Sequence, residues 1–388
     1  TMVMVDLVNT DYRPGLTSVE TLDLDLAATM GGAGTLNLVE AASVATIELD
    51  LDSGDQNFTV SNASNTSYVL EASMAATSDV LTLGSGTTLT VSNAAATGGT
   101  AGSSTLTVAT PDATTLTLAQ GHSSTLNAAT LTAAAATTIN LGGTAVDANG
   151  DDFAGAMRVE TLSAAELLTL NVDSSQGART IDALTAAKAT TVTAVGDNAV
   201  TITDGTTTAL ATVSAGSLTG ALTIGQGVDL TSSANVTMGT AADTITLDIL
   251  TESNVVVEAG EKTGTDVNDT LKYAGANNQG LTVVDLSSST DQVTQINGAI
   301  NSAAQTNFES VDFSGFSGSF GVSITGSTEA NTIVGSSNAD TIVVGEGIDT
   351  ITGGAGDDTI SIVESTSVLD TVVFSTTNGA DTITGFTT

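Results

Sequence analysis

The sequence predicts an all-β fold, a predominantly parallel β-solenoid (β-helix), and three observations lead to this prediction. Short segments alternate apolar residues with Thr, Asn or Asp at a period of two, as half-buried strands do. The 388 residues include 40 Gly and only 2 Pro, which favours short strands joined by tight turns. Aromatic residues make up 3% of the chain and Trp is absent, so we expect a thin core of Ala, Val, Leu and Ile.

Strands are expected where this alternation is clearest, namely at 20–26, 35–38, 45–51, 88–91, 104–108, 114–118, 137–141, 191–193 and 221–224. A spacing of roughly eight to twelve residues also fits serial β-sandwich domains. The solenoid is preferred because the strands are short and aromatic anchors for a sandwich are missing. Helix is expected to be minor, with Leu184–Ala189 and Val293–Ala304 as its best candidates, and the polar stretch 252–280 is expected to be a loop excursion.

Four Asp or Asn residues near the end of the chain are spaced by nine: Asn331, Asp340, Asp349 and Asp358. Each lies in a turn that is followed by an apolar triplet. The best copy, Gly353–Ser361, matches the nonapeptide G-G-x-G-x-D-x-U-x in full. In such a repeat the turn precedes a three-residue strand, and two repeats make one coil. Residues eighteen apart should therefore stack, with the Ile of each triplet pointing inward.

The same stacking places Asp340 over Asp358 and Asn331 over Asp349. Two carboxylates about 5 Å apart repel by roughly 3 kcal/mol even at an effective dielectric near 20. A cation between the coils would remove this repulsion. Calcium suits the position because it takes about six to eight oxygen ligands, which carboxylates and turn carbonyls supply. Glycine in these turns allows the positive φ that directs the carbonyls inward, at Gly345, Gly347, Gly353, Gly354 and Gly356.

On these nonapeptides, residues 326–388 resemble the RTX family of calcium-dependent, type I-secreted bacterial proteins. The stretches 370–374 and 378–386 look like the degenerate end of an RTX block. The resemblance implies a calcium-bound RTX β-roll whose carboxylate ligands are Asp340, Asp349 and Asp358, with Asn331 as a weaker ligand. It further implies metal-site roles for Gly353, Gly354, Gly356 and Asp357, and for Asp370 and Asp381, which break the nine-residue register. Most of the expected glycines are missing from 326–331 and 335–340.

Two related triplets occur earlier in the chain, beginning at Asp243 and at Asp269. Each follows a glycine four or five residues upstream and opens an apolar segment. Each is interpreted either as a strand-opening turn or as an isolated calcium site.

A faint long repeat predicts three modules. The motif Val19–Leu22 returns as Val159–Leu162 and as Phe308–Val311, and each copy leads into strand-like sequence. The expected modules are a strand-rich β module at 1–150, a second one with isolated calcium turns at 151–305, and the RTX-like β-roll at 306–388.

The charge and composition exclude several classes of function. Forty-three acidic residues and six basic ones give a net charge of −37. This negative charge excludes nucleic acid and anionic membranes as expected partners. No apolar segment is long enough to predict membrane insertion. Cysteine is absent, so disulfides and thiolate metal sites are excluded. Bound calcium is therefore expected to provide the stabilisation that disulfides provide in other extracellular proteins. We expect the chain to be a fragment whose export signal lies beyond its C-terminal end.

An enzyme is not expected. His122 is the single histidine, and neither H-E-x-x-H nor G-x-S-x-G occurs. A polysaccharide lyase would need clustered Lys or Arg, whereas the six here are scattered. The pair Asp151 and Asp152 is a conceivable glycosidase pair, but its surroundings favour a calcium or turn loop. The Thr-rich strands lack the regular register of an ice-binding face.

The sequence thus predicts a secreted, calcium-stabilised structural protein of the bacterial cell surface. It is similar to RTX-containing S-layer proteins, so the expected partners are calcium ions, other copies of itself in a lattice or filament, and a cell-surface polysaccharide. The alternative is a segment of a large RTX adhesin that binds a surface or a glycan.

Overall fold

The computed structural model describes residues 2–7, 11–12, 19–26, 34–37, 44–51, 57–61, 67–72, 80–83, 88–93, 106–120, 126–144, 155–260, 268–366, 368–374 and 379–385. These residues form strands and turns without any helix, and no helix that could span a membrane occurs among them. The predicted all-β, largely parallel solenoid is confirmed. His122 and the 147–152 loop lie outside the described residues.

The chain divides into two compact units, Thr1–Ala209 (unit 1) and Leu210–Thr388 (unit 2). The three-module division into 1–150, 151–305 and 306–388 remains a prediction.

Unit 1 is built from coils that each add one strand to each of two parallel sheets. Odd-numbered strands form one sheet and even-numbered strands form the other. The strands are β1 (Met2–Leu7), β2 (Asp11–Tyr12), β3 (Thr21–Leu26), β4 (Gly34–Asn37), β5 (Thr46–Leu51), β6 (Asn57–Ser61), β7 (Ser67–Ala72), β8 (Val80–Leu83), β9 (Thr88–Asn93), β10 (Leu106–Ala109), β11 (Thr115–Gln120), β12 (Leu126–Thr132), β13 (Thr138–Thr144), β14 (Met157–Ser163), β15 (Thr169–Asp173), β16 (Arg179–Thr185), β17 (Thr191–Gly196) and β18 (Val200–Thr206).

Columns of aliphatic side chains fill the core of unit 1. Leu116, Ile139, Leu170 and Val192 are register partners on successive odd-numbered strands, and each is fully buried. Burial of an aliphatic side chain of this size stabilises the fold by roughly 1.5–3 kcal/mol. The alternation along each strand, buried Leu or Val next to half-exposed Thr or Asn, is the period-two pattern of the sequence.

Unit 2 continues the two-strands-per-coil plan and adds a further sheet. One set is β19-β21-β23-β28, the second is β20-β22-β24-β29-β31-β33-β35, and the third is β27-β26-β25-β30-β32-β34-β36. The strands are β19 (Leu210–Leu218), β20 (Leu222–Gly227), β21 (Leu230–Thr237), β22 (Thr244–Asp248), β23 (Val256–Glu258), β24 (Thr270–Asn277), β25 (Thr282–Asp285), β26 (Val293–Ile296), β27 (Ala299–Ile300), β28 (Gln305–Thr306), β29 (Ser310–Gly318), β30 (Val322–Thr325), β31 (Thr332–Val334), β32 (Thr341–Val343), β33 (Thr350–Thr352), β34 (Thr359–Ser361), β35 (Thr371–Val373) and β36 (Thr382–Thr384).

The nine-residue register is confirmed in the strands β31 to β34. Ile333 pairs with Ile351 and Ile342 pairs with Ile360, eighteen residues apart in each case, and all four are buried. The column of Ile333 continues upstream through Val311 to Leu271. The repeat segment and the preceding coils of unit 2 therefore share one line of packed aliphatic residues.

Both helix predictions are wrong. Leu184 and Thr185 end strand β16, and the residues after them turn, with the Ala189 amide donating to the Ala186 carbonyl at 2.9 Å. The segment 293–304 contains the antiparallel pair β26 and β27. The turn between them is Asn297-Gly298, both at positive φ (50° and 80°), which is the pattern of a two-residue hairpin.

The expected loop excursion at 252–280 is wrong in part, because β23 and β24 lie within it; residues 261–267 lie outside the described part of the chain. The real excursion comes later. Residues 270 and 310 are register partners although forty residues separate them, and the intervening chain includes the hairpin. Buried amide side chains stabilise it, since Gln292 Nε2 donates to the carbonyls of Leu286 and Phe308 at 3.0 and 2.8 Å.

Candidate metal centre

In two sheets of unit 2, nine strands have an acidic residue or an asparagine immediately before them. Before β22, β24, β29, β31, β33 and β35 these residues form what we name the long row: Asp243, Asp269, Glu309, Asn331, Asp349 and Asp370. Before β32, β34 and β36 they form the short row: Asp340, Asp358 and Asp381. All members except Asp370 and Asp381 are buried. The parallel pairing of the strands thus brings all but one of the predicted Asp and Asn candidates into two stacked lines.

In the long row, side-chain oxygens accept backbone N–H groups of the coil before. Asp269 Oδ1 accepts from the Asp243 amide at 2.8 Å, and Glu309 Oε2 accepts from the Asp269 amide at 2.9 Å. Further along, Asp349 Oδ1 accepts from the Asn331 amide at 2.8 Å. Asp370 Oδ1 accepts from the Asp349 amide at 3.1 Å. Each of these bonds joins two successive coils.

The short row repeats this arrangement. Asp340 Oδ1 accepts from the Val322 amide at 2.7 Å, and Asp358 Oδ1 accepts from the Asp340 amide at 2.9 Å. Asp381 Oδ1 accepts from the Asp358 amide at 3.1 Å. The predicted stacking of Asp340 with Asp358 and of Asn331 with Asp349 is confirmed. The structure adds that one oxygen of each carboxylate is occupied by the backbone.

Burial penalises the charged form of these carboxyl groups. Desolvation raises the pKa of Asp243, of Asp340 and of Asp349 to about 6 in each case. The pKa of Asp358 is also raised, chiefly by desolvation and in addition by the nearby Asp381 and Asp357. The backbone N–H groups oppose these shifts without cancelling them. The stacked carboxyl groups are therefore poised to gain from a cation.

The turns with serine and the turns with glycine leave their carboxylates in different states. Ser336 donates its amide to Asp340 Oδ2 at 2.6 Å and its hydroxyl to Asp340 Oδ1 at 2.8 Å, so both oxygens have partners. In the glycine-rich copies, Asp349 Oδ2 and Asp358 Oδ2 are buried without a hydrogen bond. A buried unpaired carboxylate oxygen costs free energy, and a calcium ion is a hard cation that binds such oxygens. The glycine-rich turns thus have a donor set that fits calcium.

Glycine serves these turns in two ways. Gly345, Gly347, Gly354 and Gly356 have φ between 95° and 112°, the left-handed region in which side chains are disfavoured. Gly353 does not share this conformation. It is required for space, because a Cβ there would lie 2.3 Å from Asp358 Oδ2.

Asp243, Asp269 and Asp357, which were also predicted as metal-site residues, differ from Asp349 and Asp358 in their hydrogen bonds or exposure. Asp243 is saturated, because its oxygens accept from the Leu222 amide at 2.6 Å and the Gly239 amide at 2.8 Å, which favours its strand-opening interpretation. Asp269 likewise bonds to the backbone, since its carboxylate accepts from the Asp243 amide and its own amide donates to Glu309. Asp357 is exposed and accepts from the Ala380 amide at 2.8 Å.

Two acidic residues at these positions, Glu309 and Glu364, are not predicted by the nine-residue spacing. Glu309 occupies a place in the long row but precedes a serine, so no Asp-Thr-Ile pattern marks it. Glu364 offers a carboxylate oxygen that lies, with those of Asp349 and Asp370, in a group whose atoms are all within 4.8 Å of one another.

The model of the RTX calcium-binding nonapeptide repeat (four copies) matches residues 323–350 and 334–361. Comparison with curated proteins and with solved structures gave no significant match. Calcium is therefore the cofactor of the repeat segment, and repeats of this kind are typical of secreted, extracellular proteins.

Proposed function

We propose that this chain is an extracellular structural protein of a bacterial cell surface that self-assembles into a calcium-dependent surface layer or filament. Within it, Asp349 and Asp358 are the leading calcium ligands, because each has a buried oxygen without a hydrogen bond. Bound calcium supplies positive charge between coils. Asp340 and Asn331 are secondary, since serine side chains or amides already satisfy their oxygens.

Exposed apolar side chains carry the proposal of self-assembly. Of the fourteen large apolar side chains that are exposed in the described residues, seven fall between residues 343 and 374. They are Val343, Ile348, Val363, Val368, Leu369, Val373 and Phe374. Concentrations of exposed apolar surface mark contacts with other macromolecules. A second copy of the chain is the partner we propose.

The net charge of −37 makes such contacts unfavourable without cations. Like-charged surfaces repel one another, and monovalent salt screens this repulsion without bridging carboxylates. The same calcium that orders the repeats would therefore permit the copies to approach.

A second candidate, a glycan-binding adhesin segment, is favoured by a groove in unit 1. Its volume is about 440 Å³ and its lining includes Thr117, Asn140, Asn171 and Thr193. The amide of Asn171 donates to Asn140 Oδ1 at 2.8 Å, and the amide of Asn140 donates to the Thr117 hydroxyl at 3.1 Å. These groups satisfy one another, so the row also has a purely structural explanation, and we rank this function second.

Negative-stain electron microscopy of the purified chain tests the first candidate. Sheets or fibres are expected at millimolar calcium, with dispersal in chelator even at high sodium chloride. Leu369→Ser should reduce assembly, because Leu369 is 84% exposed within the apolar segment. Ile300→Ser is the matched control, since Ile300 is 85% exposed outside it. Monodisperse protein at every calcium concentration would contradict self-assembly, and glycan-array binding would then support the second candidate.

A further inference from the structure

Three carboxylates meet where the nonapeptide register breaks. Thr350 pairs with Thr371, twenty-one residues on, whereas Thr332 pairs with Thr350 eighteen residues on. The three extra residues lengthen the turn that carries Glu364. This turn brings the Glu364 carboxylate beside those of Asp349 and Asp370, with one oxygen from each residue in a group no wider than 4.8 Å.

Two of these three carboxylates have a buried oxygen that lacks a partner. Asp349 is 0% exposed, and its Oδ2 has no hydrogen bond. Glu364 Oε1 is likewise buried and unbonded, although the residue as a whole is only half-buried. No Lys or Arg forms a described ion pair with them. Like charges so close, with unpaired oxygens, are unfavourable unless a cation joins them.

The spacing is compatible with calcium, because an ion that binds oxygens at about 2.3–2.6 Å holds its ligands no more than about 5 Å apart. Calcium is the ion chosen because Asp349 lies within the matched calcium-binding repeat. The lengthened turn is also held in place. Glu346 accepts from the Ser365 amide at 2.8 Å and from the Thr366 hydroxyl at 2.8 Å, which fixes the residues that follow Glu364.

We propose that Asp349, Glu364 and Asp370 form a calcium site made of three side-chain carboxylates, and that Glu364 from the lengthened turn is the residue that completes it. The site differs from the turns of the regular copies because its third ligand comes from outside the nine-residue pattern. It rests on the proposed calcium role of Asp349 and is independent of whether the chain assembles. Burial raises the pKa of Asp349 to about 6, and the nearby carboxylates of Asp370 and Glu364 add to this shift.

The test measures calcium bound by the full chain, by equilibrium dialysis and by isothermal titration, for Glu364→Gln against the wild type. We expect the loss of one bound calcium, or a weakening of one site on the order of tenfold or more, since ligand charge sets calcium affinity. Glu329→Gln is the matched control because it removes one exposed negative charge from the same segment, and it should leave every site unchanged. Glu364→Asp, which retains the charge, should recover part of the binding.

Asp358→Asn separates this site from the proposed ligand roles in the regular copies. If Asp358→Asn loses calcium and Glu364→Gln binds as Glu329→Gln does, the three-carboxylate site is overturned while the regular sites stand. If neither variant loses calcium, both assignments fail. Should circular dichroism show that Glu364→Gln does not fold, Glu364→Asp decides the question: binding equal to the wild type in number and affinity overturns the proposal.

Discussion

The two units of the molecule place their charged groups in opposite ways. In the described residues of unit 1 the one buried charged side chain is Arg179, which donates to the carbonyls of Asp173 at 2.9 Å and Gly155 at 2.8 Å. Among the described residues of unit 2, no Lys or Arg is buried, but seven carboxyl groups are. They belong to Asp243, Glu252, Asp269, Glu309, Asp340, Asp349 and Asp358. Both units use parallel coils with aliphatic columns, so the difference does not arise from the fold.

This difference indicates that acidity has separate roles along one chain. In the described residues of unit 1 the acidic side chains are exposed or half-buried, where they affect solubility and contacts. In unit 2 the buried acidic side chains lie in turns or immediately before strands, where their protonation and their counter-ions enter the free energy of unfolding. A response to calcium should therefore be confined to unit 2.

Calcium removal should give the largest effect. At a calcium concentration a hundredfold above Kd, one bound ion stabilises the folded state by about 2.7 kcal/mol. With excess chelator, hydrogen exchange followed by mass spectrometry should show lost protection in β31 to β34 and unchanged protection in β15 to β17. Limited proteolysis should likewise cut within 326–388 first. Equal loss of protection in both units would contradict the expectation that only unit 2 responds to calcium. Unchanged protection in both units would contradict the role of calcium in folding.

Removal of one buried carboxylate should give the next largest effect. Asp340→Ala leaves the amides of Val322 and Ser336 without their acceptor, at a cost of about 1–3 kcal/mol for each buried group. In unit 1, Asp182→Ala breaks only the partly exposed ion pair with Arg158, which is worth about 1 kcal/mol or less. Urea denaturation of both variants checks this difference. Similar losses of stability would show that burial of the carboxylate is unimportant.

The stability of the calcium-free protein should depend on pH through the buried carboxyl groups of unit 2. Burial raises the pKa of Asp340 and Asp349 to about 6 and that of Glu252 to about 7. Between about pH 4 and pH 6 the folded state keeps protons that the unfolded chain has lost, so stability falls as pH rises, by on the order of 2 kcal/mol per carboxyl group. Thermal melts of the calcium-free protein should show a lower Tm at pH 7 than at pH 4.5.

With calcium present, this trend should reverse, because deprotonated carboxylates bind the ion better. Asp340→Asn should weaken the dependence of the calcium-free protein on pH. A calcium-free Tm that rises steadily from pH 4.5 to pH 7 would mean that these carboxyl groups titrate as exposed ones do.

The smallest effect should come from a surface ion pair of unit 1. Lys188 Nζ lies 2.6 Å from Glu166 Oε2, and the two side chains are 56% and 51% exposed. Solvent screens such a pair, so Lys188→Ala should change stability by less than about 1 kcal/mol, whether or not calcium is present. A calcium-dependent effect of this variant would show that unit 1 also responds to the ion.

The sequence predicted those features that depend on a regular period. Alternation at period two predicted the strands, and the nine-residue spacing predicted that Ile333 pairs with Ile351. Where the pattern was irregular, the prediction failed for physical reasons. The segment 293–304 is a helix candidate by its pattern, but its Asn297-Gly298 pair is a strong hairpin signal and forms the turn between two strands.

The candidate site was predictable only in part. Spacing identified Asp340, Asp349 and Asp358, but it could not distinguish carboxylates satisfied by serine from those left open by glycine, since this depends on the direction of single hydrogen bonds. Glu364 was missed because its position depends on the path of a turn that is three residues longer than the repeat. Glu309 was missed because a glutamate there occupies the place that the repeat gives to aspartate.

The ladder of backbone bonds also gives the β-roll a direction. In the short row the Asp340 and Asp358 amides each donate to a side-chain oxygen of the following coil, so the Asp340 amide depends on Asp358 and the Asp358 amide on Asp381. Loss of one coil removes a side-chain acceptor from the coil on its N-terminal side. The coil on its C-terminal side loses only backbone partners, as Thr359 would lose the Asp340 carbonyl. Fraying should therefore spread from the C-terminal coils backwards, one coil at a time, and repair should proceed in the opposite sense, as a nearest-neighbour stack predicts.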